Sequence, residues 1–71
     1  MSNDSVVRFG KNLKRLMAER DLSYRELGRQ IGIHHVTLYR YTNAIVDPPL
    51  QATIKISRYF GRTLDEMAGE E

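Results

Sequence analysis

The sequence predicts an all-α domain of five helices. Apolar residues recur at three- and four-residue steps in each patterned segment, and no segment alternates as a strand does. Two Ser/Thr-x-x-Glu boxes, Ser23 to Glu26 and Thr63 to Glu66, mark helix starts. Gly32, Pro48, Pro49 and Gly61 stand at the breaks between patterns. A chain of 71 residues, about two-fifths of them hydrophobic, suits a single domain with one core. Such a core contributes roughly 3–5 kcal/mol, so pairing or a bound partner has room to add stability. Helices are expected over residues 5–19, 24–31, 35–42, 49–60 and 64–68 of a domain spanning 1–71, with frayed ends.

In the first helix Val6, Phe9, Leu13, Leu16 and Met17 make one apolar stripe, and Asp4 or Ser5 is the expected cap. Lys11, Lys14 and Arg15 lie off the stripe. Gly10 weakens this helix by about 1 kcal/mol relative to alanine. The second helix starts at the Ser23–Glu26 box, with Leu22 placed to pack back over the cap, Leu27 and Ile31 inward, and Gly32 as a left-handed stop. It is short, so tertiary packing must hold it. The third helix is HHVTLYRYTN, followed by the loop AIVDPP. Pro48 or Pro49 opens the fourth, in which Leu50, Ile54, Ile56, Tyr59 and Phe60 take the apolar positions. In the fifth, Leu64 and Met67 point inward behind the Thr63–Glu66 box.

Composition excludes several classes of function. With no cysteine there are no disulfides, thiolate metal sites or cysteine nucleophiles, which fits a cytoplasmic protein. No apolar run approaches the roughly 20 residues of a membrane span, and the start MSNDSVV lacks the regions of a signal peptide. Net charge is only +2, but it is unevenly spread. Eight basic residues lie between Arg8 and Arg40 against Glu19, Asp21 and Glu26, whereas Thr63 to the end holds four acids and no base. That asymmetry fits a basic working surface with an acidic tail held away from it, and equally a set of solvated helix faces.

The third helix decides between them. At about 100° per residue, Leu38 and Tyr41 fall on one side, which must be the core side. Val36, Tyr39, Arg40 and Asn43 fall on the other, and an exposed face of that composition is a contact surface. His34 and His35 are adjacent and so about 100° apart, not the four-residue step that lets two ligands share one ion on a helix, and no metal site is expected. No tuned acid, base or nucleophile constellation marks an enzyme, and no cofactor is implied. His34 reads as a helix cap. His35 begins the outward face, where the helix N-terminus favours a neutral imidazole able to donate and accept.

The segment YRELGRQIGIHHVTLYRYTN resembles the helix-turn-helix of the phage repressor and Cro-type, lambda-repressor-like (XRE-type) family. Leu27, Gly28, Ile31, Gly32, Ile33, Leu38 and Tyr41 carry the spacing. FGKNLKRLMAERDLS is similar to that family's first helix, and DPPLQATIKISRYFGRTLDEM to its fourth and fifth. The family usually has alanine where Gly28 stands, and either residue is expected to leave room between the helices. It often pairs an arginine and a glutamate where this chain has Met17 and Thr42, so an apolar Met17 contact near Tyr41 and Thr42 is expected in place of the ion pair. Its reading face often shows glutamine or serine, unlike the one here, so target rules do not carry over.

The resemblance implies a transcriptional regulator, of repressor type, that binds double-stranded DNA sequence-specifically, with the third helix in the major groove and the second crossing the backbone. His35, Val36, Tyr39 and Arg40 are then the expected base readers. Arg40 suits a guanine edge, Val36 a thymine methyl and His35 a guanine acceptor. Ser23, Tyr24, Arg25, Thr37, Thr42 and Asn43 are the expected phosphate contacts. Arg25 and Arg29 also fit solvated surface charges, and Tyr24 also fits packing on Leu27. Such domains resemble proteins that pair on two half-sites, so a homodimer on DNA is expected, with the fourth and fifth helices and nearby loops as the pairing surface and Ile45 and Val46 exposed there. The rival class is a protein-interaction module of the same fold, such as an antitoxin or an anti-repressor partner.

Overall fold

A computed structural model describes residues 3–69; the expected fraying of the chain ends falls outside the described residues. The helices are α1 (Asn3–Glu19), α2 (Tyr24–Ile31), α3 (His35–Thr42), α4 (Leu50–Phe60) and α5 (Leu64–Ala68), and no strand occurs among the described residues. α1 packs against both α5 and α3. α2 packs on α3 and touches α4, and α4 closes onto α5.

One buried cluster holds all five together. Phe9, Leu13, Leu16 and Met17 come from α1, Leu27 from α2, Leu38 and Tyr41 from α3, Ala52, Ile56 and Phe60 from α4, and Met67 from α5. Leu22, Tyr24, Ile31, Ile33 and Tyr59 pack on its margin. Leu13, Leu27, Leu38, Ile56 and Met67 are fully buried, each worth about 1.5–3 kcal/mol relative to exposure. This burial holds α2 and α3, which at eight residues apiece are too short to persist alone. Met17 and Tyr41 share this cluster, and among the described residues no charged side chain is buried.

Local chemistry sets most of the ends. In both capping boxes the hydroxyl of Ser23 or Thr63 accepts from the backbone N–H three residues on, while Glu26 or Glu66 accepts from the cap's own N–H. α2 stops at Gly32, whose left-handed φ of 74° a residue with a Cβ adopts only at a cost. α1 begins at Asn3, earlier than expected, so Asp4 sits in its first turn, where a carboxylate suits the helix N-terminus. At α4 it is Pro49 that caps, in extended conformation, and the helix proper starts at Leu50. Leu50 and Leu64 were expected inward. Both are exposed, because each is the first residue of its helix and the core lies under the following turn.

Two glycines mark close approaches. A Cβ on Gly10 would lie 2.5 Å from the Tyr41 carbonyl oxygen and 2.9 Å from that of Thr42. A Cβ on Gly28 would lie 2.5 Å from the Ile33 carbonyl oxygen. The expectation that alanine would fit equally well at Gly28 is therefore corrected: in this packing it meets backbone, which cannot swing aside.

Candidate nucleic-acid interface

α2, the Gly32 turn and α3 present one continuous outer surface. α3 is bedded by Leu38 and Tyr41, both buried in the core; burial also pushes the Tyr41 phenol above its ordinary value. That fixes the rotation of the helix. Val36 (41% exposed), Tyr39 (51%) and Arg40 consequently face solvent on the far side. His35 and Thr37 are half-buried at the start of the same surface.

The N-terminus of α3 is built from the two histidines. His34 is the cap: its Nδ1 accepts from the Val36 N–H at 3.1 Å, which requires that nitrogen to be unprotonated. The His35 ring stacks on it, centroid to centroid 4.4 Å. Partial burial, with smaller electrostatic effects from neighbouring Arg25 and His34, holds the His35 imidazole below its usual value, so it stays neutral more readily. Among the described residues no cluster of histidine and acidic side chains could hold a metal ion.

At the other end of the surface, Ser23 and Arg25 are exposed at the start of α2. Ser23 Oγ accepts from Glu26 N–H at 3.0 Å, which leaves its proton available to a ligand. The Glu26 carboxylate is held below the usual range by its bonds to Ser23, backbone first, with a smaller effect from Arg29. Arg25 and Arg29 stand one turn apart on α2 and flank a shallow groove with His34 and His35. Arg29 is not among the phosphate contacts expected from the sequence; the arginine repeat at a four-residue step is the signal that places it beside Arg25.

Two expected phosphate contacts are engaged elsewhere. Thr42 is only 9% exposed. Its Oγ1 lies 2.9 Å from the Tyr24 hydroxyl and 2.9 Å from the Tyr39 carbonyl oxygen. It is an internal tie and does not present its hydroxyl to a phosphate. Asn43 is exposed, but its Nδ2 donates to Tyr39 O at 2.9 Å and to Thr42 Oγ1 at 3.3 Å. Tyr24 is half-buried, with its ring edge-on to Tyr39 at 5.7 Å. Beyond α3 the chain turns through Ala44 at a positive φ of 55° and leaves Ile45 (62%) and Leu50 (66%) exposed, with Val46 between them in the chain.

Two short helices joined by a tight turn, the second bedded on the core and displaying its other face, define a helix-turn-helix protein. The helix-turn-helix family model matches residues 13–67, from the middle of α1 to α5, and the chain belongs to that family. The family is one of DNA-binding, non-enzymatic domains, and DNA binding is the activity it brings to this chain. Comparison with curated proteins and with solved structures gives no match. No helix among the described residues is long and apolar enough to cross a membrane.

Proposed function

We propose that the chain is a sequence-specific regulator of repressor type that reads the major groove of double-stranded DNA with α3. The observation that supports this most is the joint exposure of Val36, Tyr39 and Arg40 on a helix whose opposite face is locked by Leu38 and Tyr41. These three, with His35 at the helix start, supply a guanidinium for a guanine edge, an apolar contact for a thymine methyl and neutral hydrogen-bonding groups. Ser23, Arg25 and Thr37, joined by Arg29, hold the backbone on either side. The first-turn N–H groups of Tyr24 and Arg25 are left by the capping box to face an anion.

The exposed Ile45, Val46 and Leu50 support pairing of two copies on adjacent half-sites, since large exposed apolar side chains favour association. The working place of such a protein is the cytoplasm, on the nucleoid.

A titration of a duplex selected from random DNA, repeated at several salt concentrations, tests the reading. Two phosphates neutralised by Arg25 and Arg29 give a log–log slope of about −2 per copy, and further contacts steepen it. A flat response, or no preference among duplexes, would favour a protein-interaction module using the same surface.

A further inference from the structure

We propose that Tyr24 is a positioning residue for sequence reading: it clasps α2 to the last turn of α3 and thereby sets the orientation of Tyr39. The inference rests on the DNA-reading function proposed above.

Four contacts converge on that turn. The Tyr24 hydroxyl meets Thr42 Oγ1 at 2.9 Å, and Thr42 Oγ1 is 2.9 Å from the Tyr39 carbonyl oxygen. Asn43 Nδ2 donates to that same carbonyl at 2.9 Å. The edge of one tyrosine ring meets the face of the other, with the planes 76° apart. Behind the turn, α1 presses Gly10 against the carbonyls of Tyr41 and Thr42. The turn that carries Tyr39 is thus held between α1 and the Tyr24 side chain. Tyr39, half exposed, depends on this frame for its direction, because α3 has only two turns and a small rotation moves its outer side chains most.

The clasp does not depend on which hydroxyl donates. If Thr42 donates to Tyr39 O, Tyr24 donates to Thr42. If Thr42 donates to Tyr24, the Asn43 N–H groups satisfy Tyr39 O, and the Tyr24 proton is free for a phosphate oxygen. Either way the two oxygens stay together, and in the second arrangement a backbone contact made by Tyr24 is tied directly to the reading turn. A tyrosine that served only as a phosphate contact would have no need of Thr42, and one that served only as packing would have no need of its hydroxyl.

The test uses the full chain with Tyr24→Phe, Thr42→Val, both together, Thr42→Ser, and Tyr39→Ala as the reference. Each is titrated against the selected duplex and every single base-pair variant of it, with a melting curve alongside. Tyr24→Phe and Thr42→Val should each reduce discrimination about three- to tenfold at the base pairs that Tyr39→Ala relaxes, and leave other positions unchanged. The double variant should lose no more than either single one, and Thr42→Ser should keep the wild-type profile. Equal loss on every duplex with an unchanged profile would make Tyr24 a plain phosphate contact and overturn the proposal. So would additive effects, or a fall in melting temperature with no change of profile. If the wild-type chain prefers no duplex, the functional reading fails first, an outcome recognisable without any variant.

Discussion

Neighbouring residues on α3 do opposite work, and Arg40 and Tyr41 show it most directly. One is exposed and the other is 5% exposed inside the core. Arg40→Ala should leave the melting temperature nearly unchanged and cost about 1–3 kcal/mol of binding, with relaxed preference at one base-pair position. Tyr41→Ala should lower stability by about 3–5 kcal/mol through the cavity it leaves, and lose binding only as it unfolds. Melting curves and binding isotherms on the two variants decide it; the reverse pattern would mean α3 is rotated from the orientation described. His35 adds a pH effect. Partial burial, Arg25 and His34 depress its folded pKa below the ordinary value of 6.5, so in the window beneath that value the unfolded chain takes up a proton that the folded chain refuses. Its contribution to stability is therefore fully present above about pH 6.5 and declines as the pH falls through the window. Wild type should lose melting temperature between neutral pH and pH 5.5 more steeply than His35→Gln does. Glu26, also depressed, acts in a separate window below its ordinary 4.5. Parallel curves for the two proteins above pH 5.5 would remove His35 as a source of the effect.

At the scale of elements, whatever depends on a residue and its near neighbours in the chain was legible. Capping boxes, the glycine stop of α2 and the inward stripe of α3 need only local hydrogen bonds and a helical period. Gly10 shows where that reading ends. Read locally it is a flaw in α1, and helix propensity alone says that Gly10→Ala should gain about 1 kcal/mol. The reason for glycine lies some thirty residues away, in the carbonyls of Tyr41 and Thr42 that a Cβ would strike. Backbone atoms at a helix end yield little, so Gly10→Ala should instead destabilise the fold by about 1–3 kcal/mol, as overpacking does. Thermal unfolding of the single variant reads the sign. A rise in melting temperature would show that α1 can back away from α3, and would loosen the frame around Tyr39 along with it. Thr42 makes the same point: nothing near it in the chain reveals that Tyr24, eighteen residues upstream, supplies a partner for its hydroxyl.

Taken as a whole, the molecule uses its charge less simply than the sequence implied. Of the basic residues before Arg40, Arg8 donates to the Ala68 carbonyl, and Arg20 reaches the carbonyls of Tyr59 and Phe60 while stacking over the Phe60 ring. Both serve the ends of α4 and α5, where a cation suits the helix C-terminus, and neither belongs to the reading surface. The helix-turn-helix class was legible because its spacing fixes which residues are buried. Leu50 was less legible: it counts as core by periodicity, and only its place at the first turn of α4 exposes it. Together with Ile45 and Val46 it adds exposed apolar surface to the stretch that follows α3, the surface proposed above for pairing. Replacing both Ile45 and Leu50 by glutamate should leave the melting temperature close to wild type, since neither side chain is buried. Affinity for a duplex carrying one half-site should also change little. Binding to a duplex with two half-sites one helical turn apart should lose its cooperativity, because like charges would then face each other where apolar surface had met. Equal cooperativity in wild type and variant would move the pairing surface elsewhere, and a loss on the single half-site would place Ile45 or Leu50 against DNA instead.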